Sequence, residues 1–301
     1  MEEGFVVRFR GVRGRYPVPG PATLKYGGNT PCVEIWAGGR LIILDAGSGL
    51  IALGNDLMAW HQQTRKPIVA TMFFSHTHHD HTLGFPFFRP AYLGTSTLYL
   101  FGPQTLDQDL EEILQQAMLP SSFPVSLYEL KAFNVISNIN EDQVVLIDAR
   151  GGPQIRNVYR DPIRAHPDTV CVRILHSLFH PSGGVNVFRI ERAGKSVVYA
   201  TDIEGVVGGD TRLVKFAQGA DLMIHDAQYT EEEYGGLPRQ GWGHSTPEMA
   251  IAVARQAQVR QLALFHHDPL HDDARLGEMS ASAQASFPNT VMAYEGLVIR
   301  L

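Results

Sequence analysis

The sequence predicts an α+β fold, built as a four-layer αβ/βα sandwich in a single domain over residues 1–301. Three observations carry that expectation. Segments with strand character fall in two successive groups, each interspersed with helical segments, as two sheets with covering helices read along a chain. No stretch of linker-like composition separates the groups. Clustered histidines and aspartates sit where strands of both groups end, so the two halves should meet at those ends.

Taken in order, residues 5–10 (FVVRFR) and 31–36 (PCVEIW) alternate apolar with polar positions, the pattern of a half-buried strand. Between them RGRYPVPGPATLKYGGNT is rich in Gly and Pro and reads as loop, with GVRG and GGNT as turns. LIILDAGSG (41–49) is a buried strand ending in an acid and a glycine turn, and residues 50–63 place apolar groups at helical spacing. IVATMFFSHTHHDHTLGFPFF (68–88) is another buried strand, running into a histidine-rich turn. STLYLFG (96–102) is a third strand before a helix around 105–118, and VSLYELK and VVLID read as further strands. GGPQIRNVYRDPIRAHPDT carries Arg156, Arg160 and Arg164 with three prolines and no periodicity. It reads as an extended loop, either a flap over a site or a solvated insertion. VNVFRIER and SVVYATD pair as a hairpin across AGK, and LMIHDAQY (222–229) and LALFHHD (262–268) are strands running into loops. Between these two, STPEMAIAVARQAQ opens a helix, with Pro247 first and Thr246 as cap, or with Ser245 and Glu248 as a capping box.

Composition narrows the class. Hydrophobic residues make up 44% and charged residues 19%, which excludes a disordered, collagen-like or coiled-coil chain. Lys and Arg number 25 against 31 Asp and Glu, so the net charge is −6, without the basic surplus of a duplex nucleic-acid binder. Two cysteines, Cys32 and Cys171, are too few for a disulfide framework and fit a reducing compartment. MEEGFVVRFRGVRGRYPV lacks the apolar core of a signal peptide, and no apolar run reaches about 18 residues. The expectation is a cytoplasmic protein with no membrane span.

The chemistry concentrates in His76-Thr77-His78-His79-Asp80-His81, directly after a buried strand. A strand end gives side chains a rigid base while the turn stays open to solvent. In extended geometry His76 and His78 share a direction, and Asp80 and His81 can then turn toward a second point close by. Imidazole and carboxylate suit Zn²⁺, Mn²⁺ or Fe, and two adjacent sets suit a two-metal centre. Four histidines and an aspartate within six residues exceed what packing supplies.

This run resembles the signature of the metallo-β-lactamase superfamily. Asp45 in LIILDAG resembles the first motif, whose aspartate supports the metal-site loop. His180 in LFHPSGG resembles the third motif and Asp202 in VVYATD the fourth. His225-Asp226-Ala227-Gln228, Gly243-His244-Ser245-Thr246 and Leu264-Phe265-His266 resemble the closing motifs of the RNase Z-like and cyclic-phosphodiesterase branch, with Asp226 in place of a glutamate. Order and spacing agree over roughly residues 5–270. The resemblance implies a metallo-β-lactamase-like sandwich with two divalent metal ions, zinc first and manganese second, at one edge between the sheets. His76, His78 and His180 would hold one ion, Asp80, His81 and His266 the other, and Asp202 would bridge them. Two such cations make a nucleophile of water near neutral pH and offset charge on phosphate oxygens during in-line attack.

Motif context favours His180 over His176, and alignment with the family's last strand favours His266 over His267. His79 reads as a spacer, and His225 as a supporting residue or substrate contact. Asp80, His244 and Asp226 form the catalytic set that the resemblance implies. A carboxylate beside an imidazole raises its pKa and fixes its orientation, so His244 held by Asp226 would protonate the leaving oxygen. A structural role for His244 at a helix start is the alternative. Asp268 to Asp273 would build the pocket rim.

The function implied is phosphodiester hydrolysis. His180 and Asp202 are 22 positions apart, room for one hairpin and not for the tRNA-gripping arm that RNase Z-type endonucleases insert there. With the net charge of −6, this points to a small phosphodiester, a cyclic nucleotide or cyclic phosphate, and away from nucleic acid as a partner. A tRNA 3′-end endonuclease is the alternative, as is a thiolester or lactam hydrolase, the latter disfavoured by Asp226 and GHST. A non-catalytic binding module would carry broken metal motifs, whereas every ligand position is filled. No membrane partner is expected. A homodimer is, because dimers are usual in the branch.

Overall fold

Two mixed sheets face each other in the computed structural model, which describes residues 4–104, 108–148, 152–163, 166–181, 183–206, 209–236 and 238–301. The first sheet contains β1 (Phe5–Gly11), β2 (Cys32–Ala37), β3 (Arg40–Leu44), β4 (Val69–Phe73), β5 (Thr97–Gly102) and β6 (Phe133–Asn138). The second contains β7 (Gln143–Ile147), β8 (Gln154–Asn157), β9 (Val170–Ser177), β10 (Val185–Arg192), β11 (Lys195–Ala200), β12 (Leu222–Asp226), β13 (Gln261–Phe265) and β14 (Thr290–Met292). The last strand, β15 (Val298–Arg300), returns to the edge of the first sheet beside β1. Strand orders are β15-β1-β2-β3-β4-β5-β6 and β14-β13-β12-β11-β10-β9-β7-β8.

Each sheet joins an antiparallel stretch to a parallel one. In the first, β3 through β6 run parallel; in the second, β11 through β14 do. Parallel strands need crossovers, and the carboxyl ends of such strands are where open α/β sheets bind ligands. Those ends carry Asp45 after β3, His76 after β4, Asp202 after β11, Asp226 closing β12 and His266 after β13.

The layers follow from which face each side chain takes. Phe9, Ile35, Leu44 and Phe73 of the first sheet pack with Val172, Phe188, Ile190, Tyr199 and Phe265 of the second in one buried cluster. Neighbouring residues on the same strands face outward: Ala70 and Met72 of β4 meet Leu50, Leu53 and Leu57 of helix α1 (Gly49–Thr64). A short helix, α2 (His79–Thr82), follows β4, and α3 (Leu110–Ala117) adds Leu110 and Leu114 to the same outer layer. On the other side α4 (Thr211–Ala217), α6 (Pro247–Gln256) and α7 (Asp273–Ser286) cover β11 to β13; α5 (Glu231–Gly236) carries no buried residue. Helix, sheet, sheet, helix is the αβ/βα order expected. Among the described residues no helix is long and apolar enough to cross a membrane.

Two local expectations change. VSLYELK is not a strand: Ser126 and Glu129 form a capping box around the 3₁₀ turn Leu127–Glu129, and the strand begins at Phe133. The stretch from 151 to 170 is not wholly loop, because Gln154–Asn157 adds to the sheet edge, pairing Arg156 with Val144. Edge pairing supplies backbone bonds that no local pattern announces. Arg164, and residues 105–107 of the expected helix, lie outside the described residues. At α6 the choice of caps resolves: Thr246 Oγ1 accepts from the Met249 N–H at 3.3 Å, while Ser245 Oγ donates to the Ile203 carbonyl at 2.6 Å.

Candidate metal centre and acid dyad

The loop after β4 is fixed by one buried carboxylate. Asp45 Oδ1 accepts from the Ser75 N–H at 2.7 Å, and its Oδ2 accepts from Ser75 Oγ at 2.8 Å, Tyr199 O–H at 2.7 Å and His81 Nδ1 at 2.8 Å. Those bonds orient His81 with Nε2 inward. His78 is the N-cap of α2, and Asp80 lies in its first turn, where its Oδ2 accepts from the Arg15 N–H at 2.7 Å.

Two groups of donor atoms, each with its atoms within 4.8 Å of one another, are His76, His78 and His180, and Asp80, His81, Asp202 and His266; a third, Asp202, Asp226, His244 and His266, overlaps the second. His180 Nε2 is 3.2 Å from His78 Nδ1. In the other group, Asp80 Oδ2 is 3.4 Å from His81 Nε2 and 3.3 Å from His266 Nε2. Asp202 stands between the groups. Its Oδ1 is 3.8 Å from His76 Nε2, and its Oδ2 is 3.1 Å from His81 Nε2 and 3.2 Å from His266 Nε2. Beside His78 opens a cleft of about 1060 Å³, with Phe87 and Phe123 on its wall.

This donor set fits divalent cations. His76 Nε2 is buried with no hydrogen-bond partner. Among the described residues, the charged side chains that contact Asp80 and Asp202 are histidines. Burial alone lowers an imidazole pKa, and it holds His76 well below the ordinary value. At His81 and His266 burial also pulls downward, but the facing carboxylates prevail; His81 is raised well above its usual value and His266 is pushed up to about 10. Burial would raise Asp80 and Asp202, yet the imidazoles hold both well below the carboxylate range. Buried acids that draw protons onto neighbouring imidazoles want positive charge, which imidazole and carboxylate ligands supply by binding a metal.

The dyad lies against this centre. His244 Nδ1 is 2.9 Å from Asp226 Oδ2, and Asp226 Oδ1 accepts from the Ser245 N–H at 2.8 Å and the Gln228 N–H at 3.1 Å. Burial would raise Asp226; His244 and His266 beside it hold its carboxyl down at about 2. The His244 ring stacks on His266 at 5.1 Å, and its Nδ1 is 3.9 Å from Asp202 Oδ1. Aspartate, one methylene shorter than glutamate, reaches without difficulty.

The rival histidines turn elsewhere. His176 Nδ1 meets Asn186 Oδ1 at 3.0 Å, and His267 Nε2 meets the Ala293 carbonyl at 2.8 Å. Burial pushes His267 down to about 3. His225 Nδ1 donates to the Asp226 carbonyl at 2.7 Å, and His79 is exposed. In the 268–273 stretch Asp272 caps α7 and His271 pairs with Glu233 at 2.9 Å. Sequence reasoning missed Tyr199, Arg15 and Gly14. A Cβ on Gly14 would lie 2.5 Å from the His266 ring, so only glycine lets this turn approach; the glycines of GVRG were the one available signal.

A model of the beta-lactamase superfamily domain matches residues 40–267. The chain belongs to the beta-lactamase superfamily. Within that superfamily it is similar to the ribonuclease Z of Thermoplasma acidophilum, 26% identical over 333 aligned positions that span 100% of this chain and 99% of the relative. Its fold is similar to a metallo-beta-lactamase fold protein from Bacillus subtilis, with TM-score 0.68 and 20% identity over 99% of this chain and 100% of that one. The short form of human tRNase Z is similar too, with TM-score 0.62 and 20% identity over 98% of each chain. The protein is a metal-dependent hydrolase of this fold.

One expectation is overturned. The sequence expectation excludes nucleic acid as a partner, yet a relative named ribonuclease Z matches over the full chain. The net charge of −6 is a sum over 301 residues and says nothing about local charge; Arg15 and Arg239 stand close to the centre, both against Trp242.

Proposed function

We propose that the protein hydrolyses phosphodiesters at a two-metal centre in which His76, His78 and His180 would hold one ion, Asp80, His81 and His266 the other and Asp202 both, with His244 as general acid. The observation that carries this reading is the Asp226–His244 pair, 2.9 Å apart, beside the two donor groups. An alkoxide leaves poorly without a proton, and an imidazole held by a buried carboxylate delivers one at the right place. With Nδ1 committed to Asp226, Nε2 is the atom that gives its proton to the departing oxygen. When bound, the ions supply Lewis acidity toward a phosphate oxygen and lower the pKa of the attacking water. An imidazole-rich set suits zinc first, and manganese second. With Nδ1 held by Asp45, His81 would offer Nε2 to the ion.

The single hairpin β10–β11 between His180 and Asp202 supports a small substrate, a cyclic nucleotide or cyclic phosphate. The relatives named ribonuclease Z favour a second reading, cleavage at a tRNA 3′ end. The test is metal analysis of the purified protein, then assay on bis-p-nitrophenyl phosphate, cyclic nucleotides and a precursor tRNA. Metal-loaded protein that turns over no diester overturns the proposal. Turnover of the precursor without turnover of the cyclic esters selects the second reading.

A further inference from the structure

We infer that Trp242, with the guanidinium groups of Arg15 and Arg239 against it, seats an unpaired nucleobase of the substrate beside His244. The inference rests on the phosphodiesterase reading and names what that substrate carries. Trp242 keeps 46% of its surface exposed, although an indole is among the side chains that gain most from burial. It is tied closely to the centre. The next residue, Gly243, has φ 84°, and its carbonyl faces His180 Nδ1 at 3.2 Å. A Cβ there would overlap the His180 ring at 2.1 Å, so the chain bearing Trp242 touches a proposed ligand directly.

A row of planar groups leads outward from the acid. The Tyr229 ring meets His244 edge-on at 5.7 Å, and Arg239 Cζ sits 4.7 Å from the Tyr229 ring and 5.3 Å from the Trp242 ring. Arg15 Cζ is 6.0 Å from the same indole, and the Arg15 N–H already holds Asp80. Arg15 has φ 66°, a conformation that residues other than glycine adopt when the surroundings enforce it. Its ion pair with Asp268 is long, at 3.7 Å, which leaves the guanidinium able to meet an anion.

The platform is also held still. Glu204 Oε1 accepts from Tyr234 O–H and the Gly241 N–H, both at 2.7 Å, and Oε2 accepts from the Gly243 N–H at 2.9 Å. A flat base stacks on an indole whatever its identity, and guanidinium planes add stacking and phosphate contacts. Preorganised aromatic and guanidinium planes at the leaving-group side therefore fit a nucleobase. Both a cyclic mononucleotide and an unpaired RNA end can present one.

The experiment compares kcat/KM for matched pairs of substrates, with and without a base. One arm pairs 2′,3′-cyclic AMP with glycerol 1,2-cyclic phosphate; the other pairs an RNA with an unpaired 3′ end with the same RNA abasic at the scissile position. In Trp242→Ala the base-bearing to baseless ratio should fall about 10-fold in at least one arm, in line with loss of one stacked base. The responding arm identifies the source of the base. Trp242→Phe should restore most of the ratio, and quenching of indole fluorescence by AMP should be lost in that same variant. A ratio within about twofold of wild type in both arms overturns the base seat while the phosphodiesterase reading stands. Metal-loaded wild-type protein that cleaves bis-p-nitrophenyl phosphate but none of the four substrates overturns the base seat alone, and protein that cleaves none of the five overturns both.

Discussion

The two donor groups lie on either side of Asp202 Oδ1 and Oδ2 and differ in almost everything else. His76, His78 and His180 bring three imidazoles, and His78 is exposed. Their outer nitrogens meet neutral groups: His76 Nδ1 lies 3.1 Å from Ser75 Oγ, and His180 Nδ1 3.2 Å from the Gly243 carbonyl. In the second group all members are buried, and Asp80 adds a charge of its own. There the outer nitrogens meet carboxylates, Asp45 at 2.8 Å from His81 and Asp226 at 3.4 Å from His266. A carboxylate behind a histidine raises its basicity more than a hydroxyl or carbonyl does. The second group should therefore bind its ion more tightly, and the first, which includes exposed His78 on the side of the cleft, should exchange its ion first.

Replacing Asp202 with Ala should erase the distinction and give the largest effect, with both ions lost and turnover abolished, as elemental analysis and a diester assay will read. Chelator titration of the wild-type protein should release metal in two steps; a single step would break the comparison. His266→Ala should then lose the tight step and His78→Ala only the loose one. His244→Ala leaves both groups intact and should slow a ribose diester by about 10²–10⁴-fold while slowing a p-nitrophenyl ester far less. Equal losses on the two esters would remove the acid role. Asp45→Asn should weaken the second group alone by about 10–100-fold in metal affinity, measured by competition with a chelator. Asp226→Asn should combine a milder His244 defect with a weaker tight step, because Asp226 touches both His244 and His266. The smallest effect belongs to His267→Ala, whose metal content should stay near that of wild type, since its ring is turned to Ala293.

How much of this was legible follows from where each residue lies along the chain. The strands before Asp45, His76, Asp202 and His266 are continuous apolar runs, and such runs read as buried strands without outside help. The clustering of His76 to His81 is local, so it reads directly from the sequence. Tyr199 is different. It reaches Asp45 across 154 positions, and its side chain looked like one more apolar residue of SVVYATD. Arg15 and Trp242 are likewise brought together only by tertiary structure, from 227 positions apart. Summed charge concealed the guanidinium groups at the site for the same reason. β8 was missed because its partner strand, β7, supplies what its own pattern lacks.

Three of the site residues sit in left-handed backbone: Asp45 at φ 59°, Asp202 at φ 51° and His266 at φ 62°. Aspartate, asparagine and histidine tolerate that region better than most residues, and β-branched ones hardly at all. Anyone retuning the metal preference of this centre by ligand replacement meets two kinds of position. At 202 and 266 a new ligand such as glutamate or cysteine must take up left-handed backbone that aspartate and histidine tolerate better, along with its changed chemistry. At His76, His78 and His180 no positive φ is present, so a swap there carries no left-handed backbone cost. Engineering toward another ion should start with those three.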